Sequence, residues 1–395
     1  MDLAEAKASV IRAVDERAEL LLDVSHRIHE HPELGYEEVF AHDLLTEVIA
    51  EEGLAVEPHA FGLPTAFAAR AGTGGPTITV CCEYDALPGI GHACGHNIIA
   101  AAGLGAGLAA ATIADAAGGR VVILGTPAEE GGGGKVRLID AGAFEGVDAA
   151  LMVHPANGDL TSMNVIAVHR VLVTYHGEAA HAAAFPHKGR NALDAAVLGY
   201  MNIAALRQHI RPAERIHGIF TEAGDKPNIV PARAAAEWYV RAADLRRLEA
   251  LEQRVVACLQ AGADAAGCTV EFEWQEPVYA DMRDNEPMIE RYAANAGELG
   301  RRLLAPADSF SVVGSTDMGN VSYEVPSIHP MIAVSPPHVS IHTPEFAGYA
   351  GGPEGDVAVL DGAKAMAMTI ADLWLEPGAL AQVKAAFEPS AVGQG

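Results

Sequence analysis

From Ala4 to Gly53 apolar residues recur at helical spacing, with a break at His31-Pro32. Thr77 to Cys82 reads as a buried strand, because it is apolar and β-branched and follows Gly-Gly-Pro. The small, apolar stretch from Ile98 to Ala117 predicts a buried helix, while Val121–Gly125 and Ala149–Val153 predict two more short strands. Strands alternating with helices predict an α/β fold: a mostly parallel sheet with helices on both faces. Ligands of such sheets bind beyond the carboxyl ends of the strands. Glu83, Glu129 and His154 each fall just after a predicted strand.

The rhythm changes at Ile166. Strand Ile166–Tyr175, helix Asn191–Ile210, strands Ile216–Thr221 and Ala234–Arg241, helix Leu245–Ala266 and strand Thr269–Trp274 follow one another. That β-α-β-β-α-β order is ferredoxin-like. It predicts an inserted domain over residues 166–275, with the main domain in two parts, 1–165 and 276–395. The last dozen or so residues, ending Ala-Val-Gly-Gln-Gly, are expected to fray.

Charge narrows the function classes. Acidic residues number 52 against 26 basic ones, a formal net charge of −26. Nucleic acid and anionic membranes both require clustered Lys and Arg, so neither is an expected partner. The simplest reading of the charge is solubility, and a cationic substrate is compatible with it. No run of about eighteen apolar residues occurs, and the acidic start lacks the features of a signal peptide, so a cytoplasmic address is expected. Five cysteines in so long a chain do not form a disulfide framework. Cys81 and Cys82 end an apolar run and are expected in the core, whereas Cys94 sits in a polar turn.

The densest chemistry lies between Glu83 and Asn97, which includes Asp85, His92, Cys94 and His96. Cys and His suit a borderline-soft divalent ion, and carboxylates suit a harder neighbour. Alone, Cys94-Gly-His96 is as consistent with a buried cysteine beside a surface histidine. Glu129 and Glu130 follow a strand and precede four glycines; adjacent acids of this kind either form a solvated turn or divide the work of ligand and base. The glycine run is not a phosphate loop, since Glu129 and Val136 stand where that motif needs Gly and Ser or Thr. Neither His154 nor His342 would persuade alone, and His29-Glu30-His31 has the wrong spacing for a zincin helix. Other readings stay open here. Cys94 could be a nucleophile with His96 or His92 as its base, or the chain could be a binding protein on an enzyme's fold.

Taken in order, several segments resemble the aminoacylase/carboxypeptidase family of dinuclear metallohydrolases. They are His26 to Gly35, Glu83 to Asn97, Pro127 to Lys135, Val153-His154-Pro155, Gly177 to His181, Pro227 to Pro231, and Gly314 to Asp317, with His342 beyond. Within the family the chain is similar to the amidohydrolase branch, which includes auxin-conjugate hydrolases, aminobenzoyl-glutamate hydrolase and dipeptidases, and stands nearer the last two. The resemblance implies a zinc-peptidase-like fold and two divalent ions (zinc, manganese or cobalt) on Cys94, His96, Glu130, His154 and His342. Glu129 would be the general base, and Asp85 is kept beside the site. His181 would stabilise the oxyanion, reaching across a homodimer, and Asn228, Arg241, Gly314 and Ser315 would bind substrate. The implied activity is cleavage of an N-acyl amino acid or a dipeptide, dipeptides with a basic C-terminal residue being one alternative. Two departures stand out: Glu83 and Asn97 occupy positions where many relatives carry Asp.

Overall fold

The computed structural model describes residues 1–305 and 313–387; the end expected to fray lies outside them. The chain forms two compact units, Met1–Asn164 with Met282–Gly395, and Val165–Asp281.

Unit 1 opens with α1 (Leu3–Asp15), α2 (Ala18–Glu30) and α3 (Val39–Glu51). Strands β1 (Val56–Pro58), β2 (Phe67–Ala71) and β3 (Thr77–Cys82) precede α4 (His96–Ala111) and α5 (Ala114–Ala117). Then come β4 (Arg120–Gly125), α6 (Gly134–Asp140), β5 (Ala149–Leu151) and β6 (His154–Ala156). The helix expected over Ile98–Ala117 is two helices. The Thr112 hydroxyl bonds back to the Ala109 carbonyl at 2.7 Å and competes with the helical ladder there.

In unit 2, β7 (Ala167–His176), α7 (Ala192–Leu206), β8 (Arg215–Glu222), β9 (Arg233–Ala242), α8 (Leu245–Ala266) and β10 (Thr269–Tyr279) succeed one another. They build an antiparallel sheet in the order β10-β7-β9-β8. Its last strand runs past the expected end at Trp274 to Tyr279. One face alternates into a core with Val171, Val173, Tyr175 and Trp238, which α7 and α8 cover with Ile203, Leu251 and Leu259.

The chain returns to unit 1 with α9 (Glu286–Glu298), α10 (Met318–Glu324), β11 (Ser327–Ile328), β12 (Met331–Ala333), α11 (Pro344–Ala350), α12 (Pro353–Leu375) and α13 (Ala379–Phe387). The main sheet has the order β1-β2-β4-β3-β5-β11. Pairs β4/β3, β3/β5 and β5/β11 are parallel, while β1 and β2 form an antiparallel margin. Both faces are buried, as a parallel sheet requires. Ile78, Val80, Ile123 and Leu151 face a core shared with α4 and α12, whereas Cys81, Leu124 and Ala150 face a smaller one with Leu138, Met318 and Val321. Helix α4 lies against the sheet so closely that a side chain at Gly107 would come within 2.3 Å of Ile123. Among the described residues no helix is long and apolar enough to cross a membrane.

Candidate metal centre

The carboxyl ends of three parallel strands meet at one place. Beyond β3 stand Glu83 and Asp85, beyond β4 stand Glu129 and Glu130, and beyond β5 stands His154. Cys94 and His96 come from the turn that opens α4, where Gly95 takes a φ of 80° that an L side chain resists. His342 arrives from far along the chain, its backbone N–H donating to the Ala93 carbonyl at 2.8 Å.

Donor atoms of Cys94, His96 and His154 lie within 4.8 Å of one another, as do those of Cys94, Glu130 and His342 and those of His96, Glu129 and Glu130. Cys94, His96 and Glu130 each belong to two of these groups, so the donors form one continuous cluster. Its Sγ is 3.4 Å from His154 Nε2, and Glu130 Oε1 is 3.3 Å from His342 Nε2.

The imidazoles are prepared as ligands. His96 Nδ1 meets Asp85 Oδ1 at 3.0 Å, which leaves Nε2 buried with no hydrogen-bond partner. His154 Nδ1 lies 2.7 Å from the Pro155 carbonyl, which can only accept, so the proton is on Nδ1 and Nε2 is a bare donor. Anchors of this kind orient metal-binding histidines. Glu130 Oε1 is likewise buried without a hydrogen bond. Thiolate, imidazole and carboxylate together fit a borderline divalent ion.

Electrostatics separates the two adjacent acids. Burial, reinforced by Glu83, Glu130 and Asp317, raises the Glu129 carboxyl well above its ordinary value. Burial acts on Glu130 too, but the neighbouring His342 imidazole and the charge of His96 bring it below. Such a split separates a carrier of protons from a carboxylate kept ionised. For Asp85, burial is outweighed by His96 and by the Glu130 N–H at 2.9 Å, and the carboxyl is lowered. Burial, His329 and His96 hold His154 well below the usual histidine range, so it is neutral. Against burial, Cys94 and Asp85 raise His96 well above that range, so His96 would release its proton on binding an ion. The Cys94 thiol is pushed up by burial. A buried thiol of that kind is a poor nucleophile, which disfavours the cysteine-hydrolase reading.

Three further residues support the site. Lys135 is wholly buried, with its ammonium on Glu83 and, at 2.7 Å, on Asp317 Oδ1. Burial alone would lower that ammonium, but Asp317 and Glu83 raise it above its ordinary value. Glu38 accepts hydrogen bonds from the Ala128 N–H and the Thr65 hydroxyl, each at 2.8 Å. It thereby holds Ala128 at a φ of 58°, a strained turn immediately before Glu129. His329 is buried beside His154, with ring centroids 5.2 Å apart and both nitrogens without a hydrogen-bond partner. Burial, then Lys135 and His96, push it down to about 3. Its signal was in the sequence: Ile328-His329-Pro330 repeats the strand-end pattern of Val153-His154-Pro155.

The remaining expected residues are distributed as follows. Gly314 and Ser315 are half-buried in unit 1, just before the buried Asp317. In unit 2, His181 and Asn228 come together, since Ala182 N–H donates to the Asn228 carbonyl at 3.0 Å and His181 pairs with Ile229. Both are exposed. Arg241 is near the other end of β9, its Nε 3.3 Å from His217 Nε2. The strand separates it from Arg233, which pairs with His176, by about 27 Å at 3.4 Å per residue.

Comparison with known proteins gives the family and the fold. Residues 81–347 match the sequence profile of peptidase family M20/M25/M40. The chain is 42% identical to the mouse Xaa-Arg dipeptidase, over 98% of its own length and 93% of the relative's. It is 29% identical to one of the subunits of the Escherichia coli p-aminobenzoyl-glutamate hydrolase, covering 93% of this chain and 92% of that one. Its fold is similar to the crystal structure of a dinuclear metal-binding peptidase of the M20 family from Bacillus subtilis. The TM-score is 0.71 at 20% identity, over 90% of this chain and 98% of the other.

Proposed function

The chain belongs to peptidase family M20/M25/M40, a hydrolase of amide bonds, and from that premise we propose that it cleaves dipeptides whose C-terminal residue is basic. The observation that carries the metal reading is the continuous cluster of donors in which Cys94, His96 and Glu130 each belong to two groups. The proposed ligands are Cys94, His96, Glu130, His154 and His342, with zinc, manganese or cobalt as the ions. The 42% identity to a dipeptidase named for Xaa-Arg substrates supports the substrate class, and the net charge of −26 suits a cationic substrate.

Divalent ions at such donors supply Lewis acidity, which activates water and polarises a carbonyl. Glu129, with its raised basicity, takes the proton of the attacking water and returns it to the departing amine. Asp85 holds His96 in its tautomer, and Glu38 and Lys135 keep the Glu129 turn and its surroundings in place. Gly314 and Ser315 offer backbone and hydroxyl groups to the substrate. His181 donates to the oxygen that gains charge, while Asn228 and Arg241 grip the carboxylate.

One copy of unit 2 cannot bring His181 and Arg241 to the same dipeptide, which spans only about 7 Å. A homodimer can, with one end of β9 serving each subunit's site. Exposed Val197, Leu198 and Met201 on α7, and Ile219 and Phe220 on the edge strand β8, support that assembly. A second reading, hydrolysis of an N-acyl amino acid such as aminobenzoyl-glutamate, is favoured by the 29% relative.

The test is a hydrolysis screen of Ala-Arg, Ala-Lys, Ala-Glu, N-acetyl amino acids and aminobenzoyl-glutamate with Zn²⁺, Mn²⁺ or Co²⁺. The expected result is preferential cleavage of Ala-Arg and Ala-Lys that a chelator abolishes. Cleavage of acyl-glutamates alone would transfer the conclusion to the second reading, and no cleavage under any metal would defeat both.

A further inference from the structure

Unit 2 carries a feature that the hydrolytic reading does not use. A cavity of ≈ 410 Å³ is lined by Arg207, Ile210, Arg211, Pro212, Glu214, Arg215 and Ile216. Three arginines therefore line one space in a chain whose acids outnumber its bases 52 to 26. Yet among the described residues none of these three has a carboxylate within ion-pair distance.

Two of the guanidinium groups are nevertheless fixed. Arg207 Nε donates to the Ile216 carbonyl at 2.9 Å, and its guanidinium lies 5.5 Å from the Tyr200 ring centroid. Arg215 Nη1 donates to the carbonyls of Pro212 and Glu214. Carbonyl oxygens are neutral acceptors, so they orient the forks without neutralising them. The remaining N–H groups are left for a guest, and an oriented fork loses little freedom when it binds one. Glu214 is the one carboxylate in the lining. It is buried and turned to local work, with Oε2 accepting from the Arg211 backbone N–H at 2.8 Å. Positive charge continues around the cavity, since Arg215 pairs across the strands with Arg241 and Arg254 Nη2 donates to the His209 carbonyl.

We propose that this cavity is a binding site for a compact, doubly charged oxyanion, held by Arg207, Arg211 and Arg215. Such an anion supplies planar or tetrahedral oxygens to which two guanidinium forks can each donate a pair of hydrogen bonds. The site is made wholly of unit 2 residues and includes none of the metal-centre residues, so it stands or falls apart from the hydrolytic reading.

The test is calorimetric titration of the metal-loaded protein with sodium phosphate, sodium sulfate and sodium succinate in separate arms, which distinguishes phosphoryl, sulfuryl and dicarboxylate guests. The wild type is compared with Arg211→Gln/Arg215→Gln and with Arg246→Gln, a unit 2 arginine outside the lining. Saturable binding is expected for at least one anion, weakened about 10-fold or more in the double variant and unchanged in Arg246→Gln. Raising the salt should weaken it. Circular dichroism and the urea unfolding midpoint check that the double variant is folded. If no anion binds saturably below 10 mM, or if the double variant binds as the wild type does, the proposal is overturned.

Discussion

Replacing Lys135 with methionine removes the ammonium that stands between Glu83 and Asp317. All three side chains are fully buried, and the Lys135 backbone N–H adds a bond to Asp317 Oδ2 at 2.8 Å. Methionine fills nearly the same volume, so packing changes little and the effect is electrostatic. The Glu83 and Asp317 carboxylates would lose their shared ammonium, with only the His96 imidazole, 3.6 Å from Glu83, beside them. Breaking a buried ion cluster by removing one partner costs about 3–5 kcal/mol, because the charges left behind are neither solvated nor paired. The sign with pH follows from the raised Lys135. Its contribution is fully present below the ordinary lysine value of 10.5 and is lost as pH rises through the higher folded value. The wild type therefore loses in strong alkali what the variant lacks at every pH. The assay is urea unfolding of metal-free protein by circular dichroism at neutral pH, on Lys135→Met, Glu83→Gln and the double variant. The double variant should lose much less than the sum of the single losses, since Glu83→Gln removes one stranded charge. A loss under about 1 kcal/mol for Lys135→Met, or strict additivity, would refute the reasoning.

Other expectations concern the same strand ends. Glu129→Gln should lower turnover by about 10²–10⁴ while metal content by mass spectrometry stays unchanged; loss of bound metal would make Glu129 a ligand instead. Gly134→Ala would place a Cβ 1.7 Å from the Pro127 carbonyl oxygen, so the turn leading to Glu129 must shift. A destabilisation of about 1–3 kcal/mol and weaker metal binding in equilibrium dialysis are expected; wild-type values for both would show that the turn tolerates the methyl group. Burial is the main cause raising the Glu38 carboxyl from 4.5 to about 7. The folded state thus holds its proton more tightly than the unfolded one, and stability falls as pH rises from 4.5 to 7. Glu38→Gln should remove up to roughly 3 kcal/mol of that fall. Urea midpoints at the two pH values, compared between the proteins, measure it, and parallel slopes would contradict it.

What the sequence alone determined was the periodic part of the molecule and the ligand types. Thr77–Cys82 and Val121–Gly125 are uncharged runs of mostly apolar and β-branched residues, and burial on both faces of a parallel sheet leaves that record in the sequence itself. Unit 2 was legible because its strands alternate, one face being half exposed. The strands β1 and β2 were not: three residues are too few to show a period, and Phe67–Ala71 holds three alanines and an arginine. Cys94, His96, Glu129 and Glu130 drew attention because such residues beside glycine are costly unless they have work to do. Tertiary structure decided the rest. His154 and His342 are ordinary residues until the strand end and the distant turn bring them to Cys94, and no local pattern encodes meetings across 60 and 248 residues. The roles of Glu38 and Lys135 are of the same kind. In sequence they read as a solvated acid and a lysine after glycines. Only burial, which removes water and makes each charge depend on a specific partner, turns them into supports of the site.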